Sequence, residues 1–278
     1  MRKFLIYTFL AISSIIMIYP LLWLFGASMK SNSEIFTSIW FIPEKIDFSA
    51  YINAWKSAGG YTILHFLKNT LFIIIPKTLF AVISSSVTAY GFARFDFPFR
   101  KTAFALLFAV MLMPQIATML PTYIMWREIG VLDTYIPLTL PSLFACEGVF
   151  VFILIQFFGG IPKELDEAAA IDGCGALKTL FYIHAPCIRP AIISIAVFTF
   201  LWTMNDFMTP LIYISSVEKY PLSLALRMSM DSTGQGYEQN KIIAMSILGL
   251  IPSISIFGLS ESFILRIFLI SRLTPSRA

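Results

Sequence analysis

Residues 162–190, PKELDEAAAIDGCGALKTLFYIHAPCIRP, form the one long polar interruption in the second half of an otherwise apolar chain. This stretch is predicted to begin as a short helix, because Pro162 suits a first helical position and the helix dipole favours the acidic residues that follow. Gly173 then ends the helix, since glycine readily takes the positive φ that other residues resist. A second amphipathic segment follows, with Leu177 and Phe181 at helical spacing. The pattern predicts two short helices joined at a corner, which together form a docking surface. An ordinary surface connection between two spans is the alternative.

Composition places the chain in a membrane. Of its 278 residues 58% are hydrophobic and only 13% are charged, whereas soluble domains carry about 25% charged residues. The mean hydropathy is +0.79. The net charge of +4 is small and the basic residues lie between apolar runs, so no nucleic-acid partner is expected. Three cysteines and two histidines without metal-ligand spacing predict no metal site.

Six apolar runs predict an all-α, polytopic integral membrane protein. A helix needs about 20 apolar residues to cross a hydrocarbon core of roughly 30 Å. The first run is longer than a signal peptide core, so we interpret it as a retained helix. Pro76 and Lys77 interrupt the second run. No repeat or linker divides the chain, which predicts one transmembrane domain over residues 1–278. The expected spans are about 4–29, 69–93, 102–126, 134–158, 191–207 and 242–265.

The distribution of lysine and arginine predicts the orientation. With both termini inside, eleven basic residues fall on the cytoplasmic side and eight on the outer side. The inner segments are also shorter and lie close to the ends of the spans, where the positive-inside rule applies. This orientation places residues 162–190 in the cytoplasm.

Three ionisable residues, Lys77, Glu147 and Asp206, lie inside predicted spans. Each costs at least about 2.5 kcal/mol at a helix centre, so each needs a partner or water. A Lys77–Glu147 ion pair and a polar path for a solute both remain open, and pairing is the favoured reading of the two. Asp206 lies nearer the outer face, where water can reach it. We take these three residues and the neighbouring Asn205 as candidates for the substrate path.

The amino-acid sequence of residues 162–190 resembles the EAA loop of ABC-importer permeases. Glu167-Ala168-Ala169 is followed after three residues by Gly173, and after nine more by Ile183-x-Ala185-Pro186. The family usually has leucine where Ala185 stands. We call residues 162–190 the EAA loop. Further stretches resemble the carbohydrate-importer, MalG-like branch in the same order along the chain: Tyr19–Trp23, Ala89–Arg94, Pro114-Gln115 with Pro121–Tyr123, Trp202 with Asn205–Phe207, and Tyr220–Leu222.

This resemblance implies the type I ABC-importer permease fold and the permease role in a binding-protein-dependent importer of a sugar or related polar solute. It implies a homologous second permease, two ATPase subunits and an external solute-binding protein as partners, besides membrane lipid. The expected location is the plasma (inner) membrane of a prokaryote. The C-terminal tail departs from the family's glycine-containing form. The residues expected to dock the ATPase are Leu165, Glu167, Ala168, Ala169, Gly173 and Leu177. Packing of Ala168 and Ala169 on this protein's own helices is the alternative for these two residues.

The chain itself is not expected to be an enzyme. It contains no Gly-Lys pair and therefore no Walker A loop, so ATP and Mg are expected in the partner ATPase and no cofactor in this chain. No catalytic constellation supports a membrane enzyme. An ion-gradient-driven secondary transporter, with Lys77 and Glu147 as its coupling site, is the alternative function.

Overall fold

The computed structural model describes residues 2–55, 58–231 and 239–273, with side chains described in 3–55, 59–230 and 239–260. Within these ranges the chain forms helices and no strand. Short 3₁₀ turns lie at Ala58–Gly60, Leu140–Phe144 and Val217–Lys219, and a π-helical turn at Leu180–His184. The helices are α1 (Arg2–Ala27), α2 (Asn32–Thr37), α3 (Ser49–Trp55), α4 (Ile63–Arg94), α5 (Arg100–Met111), α6 (Gln115–Ile129), α7 (Ile136–Thr139), α8 (Gly148–Gly159), α9 (Glu164–Ile171), α10 (Ala176–Thr179), α11 (Ala185–Cys187), α12 (Arg189–Asn205), α13 (Met208–Tyr213), α14 (Leu222–Asp231) and α15 (Gln239–Leu273).

The described residues cluster into two compact units. The first comprises Met1–Asn69 with Tyr220–Pro252, and the second comprises Thr70–Lys219 with Ser253–Ala278. In the first unit, a fully buried Lys30 organises the loop after α1. Its ammonium donates to the carbonyl of Ser38 at 3.3 Å and lies 3.7 Å from Glu34 Oε1. The buried ammonium of Lys30 thus has oxygen partners, as burial of a charge requires.

The second unit holds a continuous apolar core built from α4, α8, α12 and the EAA loop. The core residues that are buried are Ala81, Ala89, Tyr90, Phe150, Val151, Leu154, Phe158, Leu180, Ile188, Ala191 and Ile195. Because Leu180 and Ile188 belong to this cluster, the second half of the EAA loop is packed into the body of the unit. The loop is therefore part of the packed structure and not a separate surface connection.

Four helices are long and apolar enough to span a membrane in the described residues, and six spans result if each bent helix pair counts as one. This agrees with the all-α, polytopic architecture expected from the sequence. The third span differs from the straight helix expected at 102–126, since α5 and α6 meet at 100°. Pro114 precedes α6 in extended backbone, and a proline also restrains the residue before it from helical conformation.

The other spans carry further differences from the expected helices. The helix α4 continues through Pro76, where we expected an interruption. The fourth span, expected at 134–158, changes from a 3₁₀ turn to α8 at a break where Ala145 has φ +54°. Glu147 lies directly before α8, at the end of this break. The break places a carboxylate inside a predicted span, where protein or water must satisfy it.

Candidate functional site

The first helix of the EAA loop ends in a Schellman motif. The N–H of Cys174 donates to the carbonyl of Ala169 at 2.9 Å, and the N–H of Gly173 donates to that of Ala170 at 3.1 Å. Gly173 has φ +73°, as this motif requires at its position. The turn expected at Gly173 is therefore present, and it fixes the direction in which the second half of the loop leaves.

A buried polar network anchors this first helix to the rest of the second unit. Asp166 Oδ2 lies 3.2 Å from Arg94 Nε at the end of α4, and Asp166 Oδ1 lies 2.5 Å from His184 Nε2. Arg94 Nη2 also donates to the carbonyl of Ile161 at 2.7 Å. The side chain of His184 is fully buried and that of Arg94 is 7% exposed. One carboxylate therefore joins α4, α9 and the π-helical turn.

Aromatic rings enclose the histidine of this network. The ring of His184 lies 5.2 Å from that of Tyr90 and 5.6 Å from that of Phe158, between centroids. Its Nδ1 has no hydrogen-bond partner among the described residues. Since a carboxylate only accepts, Nε2 is the ring nitrogen that carries a proton and donates it to Asp166.

The sequence does not predict this network. From the sequence alone, Asp166 is only one of the acidic residues in the first turn of a helix, and the two histidines predict no metal or catalytic cluster. Arg94 precedes the EAA loop by a whole span, so nothing local in the sequence pairs it with Asp166. The one signal was a histidine within the apolar run that follows Leu177, since a buried polar side chain there needs a partner.

Most of the residues expected to dock an ATPase lie on the surface of the EAA loop. Glu167, Ala168 and Gly173 are exposed, and the exposed fractions of Leu165 and Leu177 are 39% and 63%. Ala169 is different, because only 2% of it is exposed and it packs inside this protein. Direct contact of Ala169 with a partner does not fit this burial. The loop also exposes three large side chains that are not among the predicted docking residues: Ile171, Phe181 and Tyr182.

The three ionisable residues of the predicted spans line one cavity in the second unit. Lys77, Glu147 and Asp206 all border this polar cavity, which has a volume of about 200 Å³. Aromatic side chains, among them Trp126 and Tyr213, line it as well. The cavity is smaller than the ~300–1,000 Å³ of pockets for drug-sized ligands, so it has room for a small polar group or a single ring.

The Lys77–Glu147 ion pair that we favoured is not formed. Among the described side chains, the ammonium of Lys77 has no carboxylate within 4.0 Å. Glu147 Oε1 instead accepts a hydrogen bond from Ser142 Oγ at 2.7 Å, and Glu147 Oε2 is buried without a partner in the described part of the chain. Lys77 and Glu147 therefore keep unused hydrogen-bonding capacity beside one cavity.

Asn205 does not line the polar cavity, unlike the other three candidates for the substrate path. Its side-chain amide donates to the carbonyl of Leu201 at 2.8 Å, and it is absent from the cavity lining. No group of three or more His, Cys, Asp or Glu side chains in the searched ranges is arranged to hold a metal ion.

Comparisons with known proteins identify the family. Residues 78–268 match the model of the "binding-protein-dependent transport system inner membrane component". The diacetylchitobiose uptake system permease NgcG of Streptomyces coelicolor is 27% identical, over 88% of this chain and 80% of its own. The arabinooligosaccharides transport system permease AraQ of Bacillus subtilis is 28% identical, over 90% of this chain and 88% of its own.

A solved structure shows the same fold. A chain of a bacterial ABC transporter involved in the import of the acidic polysaccharide alginate superposes with a TM-score of 0.79. It covers 94% of this chain and 96% of its own, with 21% sequence identity. The type I permease fold is thereby confirmed, and the relatives are transport permeases and not enzymes. Since the family model spans more than half of the sequence, the chain belongs to the family of inner membrane components of binding-protein-dependent transport systems, the permeases of ABC importers.

Proposed function

We propose that this chain is the permease subunit of an ATP-driven importer for a sugar or a related polar solute. It works with a homologous second permease, two ATPase subunits that bind ATP and Mg, and an external solute-binding protein. The sugar-uptake names of its relatives support the solute class. It lies in the inner membrane of a prokaryote with both termini in the cytoplasm, and residues 1–278 act as one transmembrane domain.

The exposed face of the EAA loop is the observation that carries this proposal. Leu165, Leu177 and Phe181 are exposed apolar side chains of the same loop as the exposed Glu167. Short helices that show apolar anchors together with charged side chains suit a groove on a partner, the helix-in-groove mode. We assign this face to the ATPase, with Glu167 as the charged contact.

The polar network explains how movement of the docked loop would reach the pore. Asp166 connects the loop to the end of α4 through Arg94, and Leu180 and Ile188 connect it to α8 and α12 through the core. Packed elements of this kind move as bodies and do not deform gradually. Closure of the ATPases on ATP would therefore shift the pore between inward-facing and outward-facing populations.

The polar cavity is proposed as part of the solute path. The ammonium of Lys77 and the carboxylate of Glu147 offer a donor and an acceptor to hydroxyl groups, and Trp126 and Tyr213 offer apolar faces to a ring. Asp206 lies at the same cavity and belongs to the path. Asn205, which binds the backbone of its own helix, is the weakest of the four candidates.

An ion-gradient-driven transporter remains the competing function for this polar cavity. Family membership speaks against it, because the matched family works with binding proteins. Uptake that survives depletion of ATP and collapses with the ion gradient would favour that function over ours.

Two substitutions in the EAA loop test the proposal, one that reverses a charge and one that disrupts the turn. Glu167→Lys and Gly173→Pro are expected to insert into the membrane normally but to lose both solute uptake and co-purification of the ATPase. Proline cannot adopt φ +73° and lacks the N–H that Gly173 donates to Ala170. Glu128→Lys, a reversal at another exposed carboxylate, is the control and should keep both properties. Normal uptake and co-purification by both loop variants would refute the docking role.

A further inference from the structure

A second cavity lies where α4 ends and α5 begins, and its lining shares no residue with the EAA loop or with the polar cavity. Its volume is about 720 Å³, and the rings of Phe92, Phe97 and Phe104 form its apolar wall. Phe92 packs edge-on against the other two, with centroid distances of 5.5 and 6.1 Å. We call it the aromatic cavity.

Two basic side chains border the aromatic cavity. Lys101 is exposed, and no carboxylate of the described side chains lies within 4.0 Å of its ammonium. Arg100 Nη1 pairs with Asp96 at 2.7 Å, but the side chain of Asp96 is 99% exposed. Exposed ion pairs of this type contribute about 0–1 kcal/mol, so a phosphate can compete for the guanidinium. Arginine also has further donors that suit a phosphate.

The position of this cavity in the chain indicates that it lies at the boundary between membrane and water. It sits at the ends of two apolar helices, so its basic side chains are at the level where a membrane meets water. Phe99, between the two helices, is 81% exposed and has φ +64°. Water disfavours such an exposed ring, whereas the headgroup region of a bilayer accommodates it.

We propose that the aromatic cavity binds an anionic phospholipid. The phosphate lies at Arg100 and Lys101, and an acyl chain packs on Phe92, Phe97 and Phe104. Basic residues beside apolar surface at a membrane boundary favour acidic headgroups. A free phosphate would use the two cations but leave the aromatic wall unfilled, which is why a lipid fits better. The site does not depend on the orientation of the chain or on the identity of the transported solute.

Native mass spectrometry of the full chain, purified with the partners that co-purify with it, tests this site. Phosphatidylglycerol is the probe, and phosphatidylcholine is the zwitterionic comparison. We expect phosphatidylglycerol to bind at least about tenfold more tightly than phosphatidylcholine, and the double variant Arg100→Gln/Lys101→Gln to lose this preference. Lys178→Gln, which neutralises another exposed basic residue, should retain it.

Four results would overturn the proposal. Equal binding of the two lipids by the wild-type chain would do so without any variant. Unchanged preference in the double variant, with Lys178→Gln also unchanged, would place the lipid elsewhere. Displacement of phosphatidylglycerol by millimolar inorganic phosphate, or its absence from the assembled complex while the isolated chain binds it, would mean that the cavity takes free phosphate or is covered by a partner subunit.

Discussion

Gly173 is the residue whose backbone sets the corner of the EAA loop. A Cβ at position 173 would meet no atom within 4 Å, and the same holds at Gly175. Of these two glycines, Gly173 has a positive φ and Gly175 does not. A comparison of alanine at the two positions therefore measures the cost of backbone strain without crowding. Gly173→Ala is expected to destabilise the protein by about 1 kcal/mol or more, and Gly175→Ala by less. Thermal unfolding of the purified variants measures this difference. Equal effects at both positions would show that the positive φ carries no cost.

Asp133 offers a second test at this scale, because its carboxylate ties two segments of the second unit together. It accepts hydrogen bonds from the N–H groups of Ser215 at 3.0 Å and Ser216 at 2.9 Å, and it lies 3.0 Å from the ammonium of Lys219. The pKa of Asp133 lies well below its usual range, chiefly because the hydroxyl of Ser216 donates to the carboxylate. The other donors lower this pKa further, whereas burial raises it.

Replacement of that carboxylate is expected to cost about 2 kcal/mol at neutral pH, since hydrogen bonds to charged groups contribute about 1.5–3 kcal/mol. A lowered pKa stabilises the folded state above the unfolded pKa of about 3.9, and this contribution is lost as the pH falls below that value. The stability gap between wild type and Asp133→Asn should therefore be constant from pH 5 to 8 and shrink below about pH 4. Asp96→Asn, at a fully exposed carboxylate, is the control. A gap that varied between pH 5 and 8 would contradict the assignment.

At the scale of elements, the Asp166 network decides whether the EAA loop moves with α4. Asp166→Ala would leave Arg94 and His184 buried without their shared partner. Removal of one member of a buried ion pair costs about 3–5 kcal/mol, so a loss near the lower end is expected for a carboxylate that is 27% exposed. Asp172→Ala, at an exposed acidic residue of the same loop, should change stability by less than about 0.5 kcal/mol. Chemical unfolding of both variants gives the comparison.

A transport measurement distinguishes coupling from stability in this network. If the network transmits motion, Asp166→Ala should still bind the ATPase but transport less solute for each ATP hydrolysed. Transport and hydrolysis that fall together in proportion to the folded fraction would leave the network with a structural role only.

The elements show what sequence can and cannot predict. The corner at Gly173 was predictable because its chemistry is local, and so were the apolar runs. The bend between α5 and α6 was not expected, although Pro114 stands at it, because a proline within an apolar run also occurs in continuous helices, as Pro76 does in α4. The burial of Ala169 and the partners of Asp166 depend on α4 and on the turn at Leu180–His184, which no local pattern places beside them.

In the whole molecule, the proposed function requires an ATPase to hold the exposed face of the EAA loop and to move the pore through it. The three ionisable residues of the predicted spans border one cavity, while the predicted docking residues other than Ala169 lie on the loop surface. The sequence indicates both groups but favours a direct Lys77–Glu147 pair, because depth along a helix does not reveal which way a side chain faces. Only the packing of the second unit brings these residues to a shared cavity.

Photo-cross-linking in intact membranes can detect contact between the EAA loop and the ATPase. A photoreactive amino acid in place of Leu177, which is 63% exposed, is expected to form an adduct with the ATPase subunit on illumination. The same replacement at Ile129, 58% exposed at the far end of α6, should form none. Absence of an ATPase adduct from position 177 in an importer that still transports its solute would contradict the docking role of the loop.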